Sequence, residues 1–107
     1  MPEPVRRGLV VVNGRILMQS CSLYKGHKAA VIEQHHIVPR SWFDAAGKPV
    51  RTPMAALCPT CHMSAHAAID GLLAGRDVTA LPPRCVMLAR QAIALAKQNG
   101  LTPAPTL

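Results

Sequence analysis

The sequence predicts one small α+β domain with an N-terminal β-hairpin and a C-terminal helix. Short β-rich runs occupy its first half, and from about Thr60 the pattern turns alanine-rich and helical. A length of 107 residues suits a single domain, one that hides only about two-thirds of its extended surface on folding. The domain is assigned to residues 1–100 and a disordered tail to 101–107.

Taken in order, "GLVVVNGRILM" reads as two strands joined by Asn13-Gly14, the pair best suited to the positive φ angles of a type I′ turn. This gives a hairpin over about residues 8 to 18; a single strand entering a short helix is the alternative. "CSLYKGHKA" follows as a knuckle or loop broken by Gly26. "AVIEQHHIV" is strand-like and ends where Pro39 removes a backbone donor. Residues 40–53 carry Gly47, Pro49 and Pro53 and read as a loop. "MAAL" (54–57) is a second short strand leading into "CPTCH". A helix then starts with Thr60 as its N-cap and stops near Gly75. "RDVTALPPR" links it to a last helix, whose Cys85, Leu88, Ala92 and Leu95 share a face and whose end is marked by Asn99-Gly100.

Composition narrows the function. Twelve Lys and Arg against five Asp and Glu give a formal charge of +7. A polyanionic partner follows, nucleic acid ahead of an anionic membrane surface, with a merely solvated basic surface as the plain alternative. No apolar run approaches the roughly 20 residues of a membrane span. The run before Asn13 is too short for a signal-peptide core, so a cytoplasmic protein is expected. In a reducing compartment the four cysteines, with Cys58 and Cys61 beside histidines, point to metal or redox chemistry rather than disulfides. Tyr24, Trp42 and Phe43 are the only aromatics, and Trp42 and Phe43 are expected to cover the core rather than stack on DNA.

The chemistry centres on histidine. His62 and His66 are four residues apart and lie on one helix face, a spacing that suits two bonds to one metal ion. Neighbouring strand residues face opposite ways, so His35 and His36 take different roles. If one joins His62 and His66, three imidazoles hold a divalent metal and leave a position open, as catalytic sites do. The other is free to move protons near neutral pH. A phosphodiester fits this arrangement: the imidazole activates water, and a metal stabilises the developing charge.

"EQHHIVPRSW", followed about twenty residues later by "ALCPTCHMSAH", resembles the HNH endonuclease motif of the ββα-metal fold, a treble-clef-like domain. It is most similar to the small stand-alone HNH proteins of bacteriophages and prophages. The resemblance covers roughly residues 30–75. It implies a DNA endonuclease, nicking or cutting both strands, in a bacterial cell and phage-encoded or host-encoded. By position His36 matches the general base, and His35, His62 and His66 match the metal ligands. Arg40 matches a basic residue that touches phosphate, and Arg51 in the following loop is a second candidate DNA contact. Three imidazoles suit Zn, Ni, Co or Mn better than Mg.

Two departures from the family pattern stand out. The motif's central Asn falls at Pro53, whose side chain can neither bind a metal nor brace the loop. Many relatives also pair two C-x2-C units around a structural zinc, whereas here Cys21 has Tyr24 in its partner's place. Cys21, Cys58 and Cys61 would need His27 or Cys85 to complete a zinc site, or the cysteines are packed as small apolar groups. A competing reading is therefore an inactive, zinc-stabilised nucleic-acid-binding protein in which Cys58, Cys61 and two histidines close a structural site. A third is an accessory subunit of a phage DNA-packaging nuclease, with a terminase as partner. Homodimerisation through the last helix is left open by the sequence.

Overall fold

The computed structural model describes residues 10–106. Strands β1 (Val10–Val12) and β2 (Arg15–Leu17) pair antiparallel, with Val12 opposite Arg15. Between them Asn13 and Gly14 take φ angles of 51° and 75°, as a type I′ turn requires. The expected hairpin is thus present over its described part; residues 8 and 9, like the arginines at 6 and 7 and the last residue of the tail, lie outside the described residues. Every side chain of β1 and β2 is exposed, so this hairpin does not contribute to the core.

Strands β3 (Gln19–Ser20) and β4 (Lys28–Ala29) flank a tight knuckle. Its loop is closed by the Cys21 amide donating to the His27 carbonyl at 2.9 Å and the His27 amide donating to the Tyr24 carbonyl at 2.9 Å. The Ser22 amide donates to Ala56 O at 3.0 Å, which ties the knuckle to the next ladder. That ladder joins β5 (Glu33–His36) and β6 (Met54–Leu57), antiparallel, with His35 opposite Ala55 and His36 opposite Met54.

The segment between β5 and β6, expected as a loop, contains a short helix α1 (Arg40–Ala45). Its cause is the burial of two successive aromatics: Trp42 and Phe43 sit in the core, and a helical turn brings both inward from one side. They cover the core, as expected. Helix α2 (Pro59–Leu73) is capped by Cys58, not Thr60. Pro59 at the first helical position fits there because its missing N–H would be unpaired anyway, and the Cys58 sulfur accepts from the Cys61 amide at 3.4 Å. Helix α3 (Pro83–Gln98) buries Cys85, Leu88, Ala89, Ala92 and Ala96, while Leu95 is only partly covered. α2 and α3 pack against each other, and their buried residues include Ala65, Ala68, Ala89, Ala92 and Ala96, small side chains that let two backbones approach closely. The result is a small α+β arrangement of three two-stranded ladders and three helices among the described residues.

Residues 101–106 do not form the expected disordered tail. Leu101 is buried in the core, and the Trp42 indole donates to Ala104 O at 2.7 Å. Thr106 is held by Asp70 of α2. Terminal composition suggests disorder, but an apolar anchor at Leu101 and a buried indole needing an acceptor outweigh it. No helix among the described residues is long and apolar enough to cross a membrane.

Gly71 of α2 faces Val78, and a Cβ placed there would stand 2.7 Å from Val78 Cγ1. Gly→Ala in a helix ordinarily gains up to about 1 kcal/mol, whereas overpacking a tight core loses about 1–3 kcal/mol. Gly71→Ala is therefore expected to lower stability in urea denaturation, and Val78→Ala added to it to recover part of the loss. A single variant more stable than the parent would show that this contact has slack.

Candidate metal centres

Two groups of donor side chains converge where β6 runs into α2. The first comprises Cys21, His27, Cys58 and Cys61, whose donor atoms all lie within 4.8 Å of one another. The knuckle supplies Cys21 and His27, and the cap and first turn of α2 supply the others. His27 Nδ1 is 3.3 Å from Cys61 Sγ and 3.8 Å from Cys58 Sγ. Tetrahedral zinc with Zn–S near 2.3 Å and Zn–N near 2.05 Å sets an N···S edge of about 3.6 Å, so these separations bracket the value a shared ion demands. The cluster can hold a metal ion such as zinc.

Of the two completions left open by the sequence, His27 is the one brought into place. Its ring is stacked on Tyr24, with centroids 5.0 Å apart. Cys85 is buried beside the cluster but turns its thiol to Cys61 O at 3.7 Å. Burial opposes ionisation of Cys21, yet amides of Cys58, Tyr24 and Leu23 aimed at its sulfur outweigh this and lower its pKa. Burial, reinforced by hydrogen bonds with the Cys58 and Cys21 thiols, pushes the Cys61 thiol up. In a metal-free protein Cys61 stays protonated, and a bound cation reverses that by stabilising the thiolate.

The second group is His35, His62 and His66, whose ligating nitrogens also lie within 4.8 Å of one another. Strand alternation does what was expected of it: His35 points into the protein at 1% exposure, and His36 is turned to a cleft of about 230 Å³ shared with Arg40, Ser41, His62, His66 and Thr106. Cys58 and Cys61 are gathered with Cys21 and one histidine, His27, rather than with two histidines, while His62 and His66 are gathered with His35. Arg40 stands at the cleft, 3.8 Å from Asp44. Arg51 lies apart from it, beside Lys48 and Asn99.

Proton positions in this group follow from its partners. The Glu33 carboxylate is 2.8 Å from His62 Nδ1, and a carboxylate only accepts, so that nitrogen carries the hydrogen, and in the neutral ring Nε2 carries a lone pair. The Thr106 hydroxyl lies 3.0 Å from both Asp70 Oδ1 and His66 Nδ1. Its single hydrogen goes to the carboxylate; otherwise two oxygen lone pairs would face each other. Thr106 Oγ1 therefore accepts from His66 Nδ1–H, and His66 Nε2 is left with a lone pair. The two Nε2 atoms are 3.2 Å apart and cannot bond each other with hydrogen on neither. A tetrahedral ion with two imidazole ligands sets an N···N edge of about 3.3 Å.

His35 completes the argument. Among the described residues neither of its ring nitrogens has a hydrogen-bond partner, although both are buried. Leaving such a group unpaired loses about 1–3 kcal/mol, and coordination through one nitrogen removes part of that loss. Burial first, then the charges that His66, His62 and His36 would carry, lower the His35 pKa from 6.5 to about 3. Burial likewise lowers that of His66. Both rings are thus kept neutral, the form that binds metal.

Pro53, where the resemblance implies an Asn, contributes through its backbone. Pro53 O accepts from the Ile37 amide at 3.0 Å, and Thr52 Oγ1 accepts from the Val38 amide at 2.8 Å. The chain immediately after His36 is braced by a backbone carbonyl and a neighbouring hydroxyl. Glu33, Asp70, Thr106 and Thr52 were missed by sequence reasoning. Only Asp70 left a signal, as the sole acidic residue of α2 and four positions after His66. No family model matches the chain, and comparison with curated proteins and with solved structures gives no match.

The depressed His35 pKa fixes a pH dependence for the metal-stripped protein. The unfolded chain takes up this proton near pH 6.5 and the folded chain only near pH 3, so the stabilisation is complete above about pH 6.5 and is lost as pH falls below it. Urea midpoints of stripped protein should drop between pH 7 and pH 5. An unchanged or rising midpoint would mean that His35 is not held neutral by burial.

Proposed function

We propose that the chain is a metal-dependent endonuclease of the HNH, ββα-metal type that hydrolyses phosphodiester bonds in DNA. The observation that carries this reading is the three-imidazole set, of which His62 and His66 line a cleft together with a fourth imidazole, His36. Three protein donors are the complement of a catalytic rather than a closed site. A closed structural site would need neither the cleft nor His36. The separate cysteine cluster supplies a candidate structural zinc site, which frees the histidines for chemistry.

In this reading His36 accepts a proton from the attacking water. Arg40 orients the scissile phosphate through charge-assisted hydrogen bonds. Glu33 and Thr106 keep the ring hydrogens of His62 and His66 on Nδ1 and their lone pairs inward. His35, His62 and His66 would hold a divalent ion, which when bound would supply Lewis-acid stabilisation of the charge on the phosphate and on the departing 3′-oxygen. The formal +7 of the chain attracts the polyanion without selecting sequence. The donor set favours Zn, Ni, Co or Mn over Mg.

The test is nicking of supercoiled plasmid by metal-stripped protein to which each of these ions is returned. Cleavage is expected with at least one ion, and His36→Ala should reduce it by about 100-fold or more while its metal content is unchanged. Absence of cleavage with every ion, in protein that still binds DNA and metal, would overturn the enzyme and favour a nucleic-acid-binding module or an accessory subunit.

A further inference from the structure

We infer that residues 101–106 form a strap that completes the histidine centre, with Thr106 and Asp70 acting together as a positioning pair for His66. The inference rests on the reading that His35, His62 and His66 bind a divalent ion, and it does not require that DNA be cut.

The strap is delivered by successive anchors. Leu101 is buried in the core, and its amide donates to Ala96 O at 2.8 Å as α3 ends. The Trp42 indole then holds Ala104 O at 2.7 Å. Pro103 and Pro105 each fix a φ angle, which stiffens the span between anchors. Thr106 arrives over α2, where its amide donates to Asp70 Oδ1 at 2.6 Å and its hydroxyl to the same oxygen at 3.0 Å.

This double contact gives Thr106 its function. With its hydrogen committed to Asp70, Oγ1 can only accept, and the donor it meets is His66 Nδ1–H at 3.0 Å. Asp70 thus acts on His66 through Thr106, one helical turn beyond it, in the manner of a carboxylate that orients a metal-bound imidazole from the outer shell. Thr106 also lines the cleft shared by His36, His62 and His66, so the strap borders the cleft side of the centre as well as bracing it.

Full-length parent protein, Thr106→Val, Thr106→Ser and His62→Ala would be stripped and titrated with Zn²⁺ against a chromophoric chelator. Valine keeps the shape but cannot accept from Nδ1–H, whereas serine can. The parent should show a histidine-dependent zinc site that His62→Ala abolishes. Thr106→Val should weaken that site by about 10- to 100-fold and leave the cysteine site unchanged, and Thr106→Ser should retain the parent affinity. If His62→Ala abolishes the site but Thr106→Val binds zinc like the parent, the strap has no positioning role. If His62→Ala loses no zinc, the histidine centre itself is wrong and the inference falls with it. Circular dichroism of Thr106→Val separates loss of fold from loss of affinity; equal weakening of both sites would also count against the strap.

Discussion

The structure turns on an imidazole that is buried with neither of its ring nitrogens bonded among the described residues. His35 sits at the centre of the β5–β6 ladder facing α2, and its ring meets those of His62 and His66 edge-on at centroid distances of 5.1 Å. Apolar residues would fill this space at no polar cost, so three imidazoles there need a reason. Convergent lone pairs supply one, because a single cation can satisfy all three of them at once. The surrounding acceptors, Glu33 on one side and Thr106 with Asp70 on the other, are arranged to turn those lone pairs inward.

A single junction positions both donor groups. Pro59 starts α2 directly after β6, which puts the Cys58 sulfur at the helix cap and Cys61 in the first turn, against the knuckle. One residue further, His62 points to the other side, toward β5, and His66 follows it by a helical turn. Cys61 and His62 are therefore adjacent in sequence and belong to different centres. With an ion bound, the cysteine group would cross-link the knuckle to the start of α2 in a small domain whose core is aliphatic and alanine side chains around Trp42 and Phe43, while the histidine group stays at a cleft.

Much of this was legible in the sequence where periodicity alone decides. The four-residue spacing of His62 and His66 holds on any helix, the alternation of His35 and His36 on any strand, and Asn13-Gly14 specifies its own turn. What was not legible depended on contacts between distant parts of the chain. Thr106 meets His66 across forty positions, and nothing in "LTPAPTL" announces it. Glu33 acquires its partner only when β5 is laid against α2. The choice of His27 over Cys85 needed the path of the knuckle. The cap at Cys58 rather than Thr60 was masked by a general preference for hydroxyl caps, which a proline at the first helical position overrode.

The central claim is that one small domain can hold metal at two chemically distinct donor groups, and anomalous diffraction from zinc-soaked crystals tests it most directly. The account predicts two peaks. One should lie about 2.3 Å from the sulfurs of Cys21, Cys58 and Cys61, and the other about 2.1 Å from nitrogens of His35, His62 and His66, with its remaining position facing His36. A single peak shared between the α2 histidines and Cys58 or Cys61, or none among the three imidazoles, would contradict it.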